Sequence, residues 1–163
     1  MYGSFRSYMR IPHVNGTVAA MYIYNTKGEI DIEMLSAVKP PQAYFAIHPG
    51  LTEHGRASSL THHNHILGYD PTSDFHEYRI DWLPNLAVFY IDGQEIRRMN
   101  TNVPNTIGRL MFSHWTDGNA NFSKGPPKET AVLEVANVSV LFKQAVHPLC
   151  NGCRLPPEVA LLH

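Results

Sequence analysis

Charge is scarce in this chain, and none of it is concentrated. Only 17% of the 163 residues are Asp, Glu, Lys or Arg, the formal net charge is -1, and no basic run occurs. A nucleic-acid partner therefore has no electrostatic footprint here. Apolar runs are short as well, and none approaches the ~20 residues that cross a bilayer, so no membrane span is expected. The opening Met1-Tyr2-Gly3-Ser4-Phe5-Arg6 lacks the apolar stretch of a signal peptide. Cysteine is limited to Cys150 and Cys153. One such Cys-x-x-Cys, without a second pair or a nearby His pair, is poor zinc chemistry and reads as a local disulfide or two free thiols.

Sustained helical periodicity is also missing. What the chain has instead is 12 Pro, 11 Gly, 10% aromatic residues and 44% hydrophobic content, the composition of a loop-rich β-domain with a real core. Period-two alternation places strands over 5–11, 17–24, 43–48, 75–83, 86–91, 94–99, 109–115 and 131–143. Asp92-Gly93 between two of them predicts a hairpin with a type I′ turn. Residues 49–73 read as polar and turn-rich, and 116–130 as a long Gly/Pro/Asn loop. Roughly eight strands at this spacing predict an all-β sandwich. The domain is expected over 1–145, with an irregular tail over 146–163.

The remaining strand is Glu29-Ile30-Asp31-Ile32-Glu33. Successive strand residues face opposite sides, so Glu29, Asp31 and Glu33 share one face while Ile30, Ile32 and Met34 share the other. Two readings account for three acids in a row: an edge strand whose acidic face is solvated and discourages aggregation, or a catalytic strand. At a rise of ~3.3 Å per residue the Glu29 and Glu33 Cα atoms lie ~13 Å apart, and side chains leaning together bring the carboxyls to about 5 Å. That separation suits a glycosidase that retains configuration, since inverting enzymes hold their carboxyls ~6.5–9.5 Å apart. Asp31 between them can push its neighbours' pKa values apart and so give like side chains unlike roles.

Gly28-Glu29-Ile30-Asp31-Ile32-Glu33 resembles the active-site signature of glycoside hydrolase family 16, β-glucanases and related transglycosylases on a concanavalin A-like jelly-roll sandwich. Tyr2-Gly3-Ser4-Phe5-Arg6, Phe75-His76-Glu77-Tyr78-Arg79-Ile80-Asp81-Trp82 and Phe89-Tyr90-Ile91-Asp92-Gly93 are similar to its flanking segments. Phe112-Ser113-His114-Trp115 and Lys124-Gly125-Pro126-Pro127 look like secreted fungal members. The likeness runs over 2–143 in the family's order. It implies that Glu29 is the nucleophile, Glu33 the acid/base and Asp31 the assisting acid, with no cofactor. The signature lacks the extra residue found in many laminarinases, which tilts the substrate toward mixed-linkage or β-1,3(4)-glucan. Against the family's length, N-terminal strands are expected to be missing.

Tyr22 and Tyr24, on the strand leading to Glu29, stand where the family has aromatic cleft residues; packing in the core is the alternative. Trp115 matches the family's cleft tryptophan, and by parity Ser113 and Met111 share its face while Leu110, Phe112 and His114 share the other. His76 is a candidate for the vicinity of the site or a structural histidine. His62, His63 and His65 have no acidic or Cys partner nearby, so a solvated His-rich turn is expected rather than a metal site. Trp82 is assigned to the core. Asn15, Asn121 and Asn137 head sequons, which together with the resemblance point to secretion. The expected activity is a retaining endo-β-glucanase acting as a monomer on β-glucan. Glucan transglycosylation is the neighbouring reading. A lectin-like remnant that binds glucan without cleaving it, and an unstable fragment, are the alternatives from other classes.

Overall fold

A computed structural model describes residues 2–142. The expectations for the tail over 146–163 and for Cys150 and Cys153 lie outside the described residues. Among these residues the fold is all-β, in two five-stranded antiparallel sheets and a small hairpin. The strands are β1 (Gly3–Arg10), β2 (Val18–Asn25), β3 (Gly28–Leu35), β4 (Gln42–His48), β5 (Thr52–Glu53), β6 (Arg56–Ala57), β7 (His62–Ile66), β8 (His76–Leu83), β9 (Leu86–Ile91), β10 (Gln94–Met99), β11 (Arg109–Trp115) and β12 (Glu134–Phe142).

One sheet runs β10-β9-β8-β1-β12 and the other β11-β2-β3-β4-β7. Alternation explains how they stack. The odd-numbered core residues of β1 (Phe5, Met9) and the even-numbered ones of β8 (Tyr78, Ile80, Trp82) face inward. From the second sheet Met21, Ile23, Ile30, Ile32, Phe45 and Ile47 meet them, all buried in one cluster. Phe45 of β4 stacks on Phe89 of β9 with ring centroids 4.8 Å apart, joining the two sheets. Trp82 is buried as expected, and its indole N–H donates to the Pro104 carbonyl at 2.8 Å, which pins the loop leading into β11.

Most strand expectations match to within a residue or two, and the Asp92-Gly93 turn has positive φ at both positions (49° and 77°), as a type I′ turn requires. Two differences matter. First, β1 and β2 are consecutive in sequence but belong to opposite sheets, so the segment across Pro12 to Gly16 crosses the sandwich. Second, 49–73 is not merely turns: it holds the β5–β6 hairpin and β7, which pairs with β4. The solvated turn expected for His62, His63 and His65 is therefore a strand. Its polar residues hid it, because an edge strand against one partner needs few apolar side chains.

The inter-sheet stack gives a stability prediction. Phe45→Ala should lower the unfolding free energy by about 3–5 kcal/mol, the usual loss for a buried aromatic truncated to a cavity, measured by urea denaturation.

Candidate active site

The strand β3 is central, paired with β2 on one side and β4 on the other. This removes the solvated-edge reading of the acidic strand. Ile30, Ile32 and Met34 lie in the core, so Glu29, Asp31 and Glu33 stand on the opposite, outer face of the sheet. Directly paired residues in antiparallel strands point the same way, and the register therefore builds the face row by row. Glu33 is flanked by Ala20 and Ser113 on one side and by Tyr44 and Asn64 on the other. Asp31 is flanked by Tyr22 and Met111 on one side and by Ala46 and His62 on the other. Glu29 is flanked by Tyr24 and Arg109, with His48 across from it. Ala20 and Ala46 contribute only methyl groups beside Glu33 and Asp31, which keeps space open over the acids.

Tyr22, Tyr24, Ser113 and Trp115 thus share the face of the three acids. Tyr24 is 46% exposed and Trp115 36%, so neither is spent on the core. Trp115 stacks on Phe122 from the long loop, centroids 5.8 Å apart. That loop is held close: the Ser123 hydroxyl is buried against Thr116 and Asp117, and the backbone of Gly125 lies against Gly16, where any Cβ would meet the Gly16 carbonyl oxygen. Leu110 and Phe112 pack toward the core, as their parity requires.

His76 belongs elsewhere. It sits on β8 in the other sheet, on the face with Tyr78, Ile80 and Trp82, stacked on Tyr69 and bonded through Nδ1 to an Asp92 carboxyl oxygen at 2.7 Å. The thickness of the core separates that face from the acids, so His76 is a structural histidine here. In its place the structure brings Tyr44, His48 and His62 to the face, with His63 turned inward against Phe45. No sequence pattern singled out Tyr44 or His48. Alternation along β4 puts them on one face, but only the pairing of β4 with β3 sets them beside the acids.

Asp31 is the most constrained group. It is 4% exposed. Burial, then the hydrogen bond and charge of Glu29, then the charge of Glu33, push its pKa far above the ordinary carboxylate range. A raised pKa favours the protonated form of Asp31, whose carboxyl hydrogen-bonds with Glu29. The Asp31 Oδ2 is buried without a hydrogen-bond partner; the His48 Nε2 approaches to 3.5 Å, long for a hydrogen bond. A neutral acid tolerates such an orphan oxygen far better than an anion would. Burial, followed by the Glu29 charge, also raises Glu33. Two of the three acids on one strand are thus shifted upward by position alone. His48 is 51% exposed at its side chain and meets His62 edge-on, centroids 5.8 Å apart, while the His62 Nδ1 lies 3.1 Å from the Thr61 hydroxyl.

Asn15, Asn121 and Asn137 are all exposed. Among the described residues, no group of three or more His, Cys, Asp and Glu has the arrangement of a metal site.

A Bacillus licheniformis β-glucanase structure superposes on 88% of this chain with a TM-score of 0.72 at 25% identity, and the chain covers 67% of it. A solved Crh5 transglycosylase shares the fold, with a TM-score of 0.69 at 20% identity over 86% of this chain and 63% of that one. A β-glucanase of Acetivibrio thermocellus is 30% identical over 122 residues, 70% of this chain and 34% of the relative. The chain spans less than half the length of these curated relatives, from 14% of a Ruminococcus flavefaciens xylanase/β-glucanase to 48% of a Paenibacillus polymyxa β-glucanase. The two sheets, the acids on the open face of the central strand and the profile of glycosyl hydrolases family 16, which matches residues 1–133, agree: this chain belongs to that family.

Proposed function

We propose that the chain is the catalytic domain of a retaining endo-β-glucanase acting on mixed-linkage or β-1,3(4)-glucan. One observation carries the reading: Asp31 is buried between two glutamates on an open face with its pKa held far above the ordinary range, and burial raises Glu33 as well, which divides an acid at Glu33 from a nucleophile at Glu29. A retaining hydrolase needs that division. The Glu29 carboxylate attacks the anomeric carbon and the glycosidic C–O bond breaks. The Glu33 proton goes to the departing oxygen, forming a covalent glycosyl-enzyme. Glu33, now a carboxylate, takes a proton from water as the water displaces Glu29, and the acid form of Glu33 is regenerated. Throughout, the Asp31 O–H holds Glu29 in place and disperses its charge.

Tyr22, Tyr24 and the Trp115–Phe122 stack offer flat faces to sugar rings, and Ser113 a hydroxyl beside Glu33. The ungapped spacing of the acids and the 30% identical β-glucanase support the glucan assignment. If a second glycan displaces Glu29 instead of water, the same site is a transglycosylase, a reading favoured by the shared fold of the solved Crh5 enzyme. Product lengths formed with a labelled acceptor separate the two. Three exposed sequon asparagines support secretion, testable by a glycosidase mobility shift of the protein from its native host.

Glu29→Gln should abolish reducing-sugar release from barley glucan with an unchanged melt, and Glu33→Gln should lower it ~10²–10⁴-fold. Undiminished activity in the Glu29 variant sinks the proposal. Because Glu33 must be protonated to act and its pKa is raised, kcat/KM should hold above the ordinary glutamate range. It should then fall as pH rises through the raised value, and a pH–rate profile reads this directly.

The site also has a stability signature. The folded-state pKa of Asp31 lies above its ordinary 3.8, so across that window the folded chain holds a proton that the unfolded chain has released. Stability is therefore lost as pH rises, with a slope of up to ~1.4 kcal/mol per pH unit from this group. Asp31→Asn should raise the melting temperature at pH values above that range. The gain should shrink as pH falls toward the ordinary aspartate value, in paired thermal melts across pH. A variant no more stable than the parent at alkaline pH contradicts a buried, protonated Asp31.

A further inference from the structure

Beside the acids the outer face runs into a groove of about 720 Å³, walled by the β2–β3 turn and the loop that enters β11. Tyr24 forms part of its floor, Ile107 rises 76% exposed from one wall, and Lys27 and Arg109 project from the two sides. The lining contains these two cations and no Asp or Glu. Neither cation makes an ion pair among the described residues, although four arginine–carboxylate pairs form elsewhere.

The groove is built rather than incidental. Asn25 is buried at the turn. Its side-chain oxygen accepts from the Lys27 backbone N–H at 2.8 Å, and its amide N–H donates to the Thr106 carbonyl at 3.4 Å. One side chain thus ties both walls together and fixes the backbone that carries Lys27. Trp82, through Pro104, anchors the same loop from beneath. The groove is continuous with the site, because Arg109, Tyr24 and Glu29 are consecutive cross-strand partners. Arg109 lies two strand spacings from Glu29, roughly 10 Å.

The two cations do not serve the acids. The upward shifts of Asp31 and Glu33 trace to burial and to the neighbouring carboxyls. At that distance the exposed Arg109 charge is largely screened at physiological salt. What remains is an aromatic ring in a groove also lined by two cations unpaired among the described residues, one of them a guanidinium able to grip two oxygens of an acidic group.

We infer that this groove is a subsite for an anionic substituent, a carboxylate or sulfate ester carried on a sugar of the bound β-glycan. This rests on the glucanase reading of the adjoining acids and names a finer substrate class for it. The sugar ring lies on Tyr24, and its acidic group sits between Lys27 and Arg109.

Native-gel affinity electrophoresis of the Glu29→Gln protein tests this without turnover, in gels cast with barley β-glucan or with its carboxymethylated or sulfated derivative. The anionic glucans should retard the protein with about 5–10-fold greater affinity than the neutral one at low salt, the size expected for two partly exposed charge contacts. At about 500 mM salt that advantage should vanish. In the Glu29→Gln, Lys27→Gln, Arg109→Gln protein the advantage should be lost while neutral-glucan binding persists. A preference for only one derivative identifies which acidic group the subsite takes. Equal or weaker binding of both anionic glucans overturns the subsite and leaves the glucanase reading intact, as does an advantage that survives both Gln substitutions. Failure to bind any of the polymers overturns both.

Discussion

The burial of Asp31 is the constraint around which the rest of the site is arranged. A carboxyl group at the centre of a doubly paired strand, with a glutamate two residues away on each side, cannot shed its proton without placing a negative charge in a dry, crowded position. That burial is what sets Asp31 apart from the two glutamates beside it. The cost of holding such a group falls on the fold. The isoleucines on the reverse of β3 and the aromatic stack between the sheets offset it by burying the strand's other face completely. The acid face and the core packing here are two faces of one strand.

The same two-sidedness extends across the sheet. Strands β2, β4 and β11 each send one set of side chains into the core and the other to the open face. The face is furnished with rings, hydroxyls and small residues in register with the acids. Loops then finish the surface. The 116–130 segment, locked by Ser123 and by the close approach of Gly125 to Gly16, delivers Phe122 to Trp115 at one end. Asn25 and Trp82 set the groove at the other. Polar side chains buried in turns thus shape the cleft where the sheet alone would be a flat floor.

Much of this was legible from local pattern. The alternation of Glu29 to Met34 is a property of any strand, so the acids had to share a face. Asp92-Gly93 can adopt the paired positive φ values that few other dipeptides tolerate, so the hairpin had to turn there. Strand β7 escaped notice because His62, Asn64 and their neighbours lack apolar alternation; it is held by backbone pairing to β4, which leaves no trace in hydrophobicity. His76 misled because its segment resembles the family while its parity places it under the core. The roles of Tyr44 and His48 were invisible for a different reason: they depend on which residue of β4 stands opposite which residue of β3.

The sequence by itself determined the all-β class, the composition of the acid strand and the face each acid shares, because period-two alternation and turn chemistry act over a few residues, while the family rested on the likeness of its motifs. The tertiary structure alone decided that the acid strand is central rather than an edge. It also decided that Asp31 is dry enough for its pKa to rise far above the ordinary range, that His76 is on the other sheet, and that Lys27 and Arg109 line one groove. Strand order and register join residues distant along the chain, and both burial and electrostatics follow from those joins rather than from any local run.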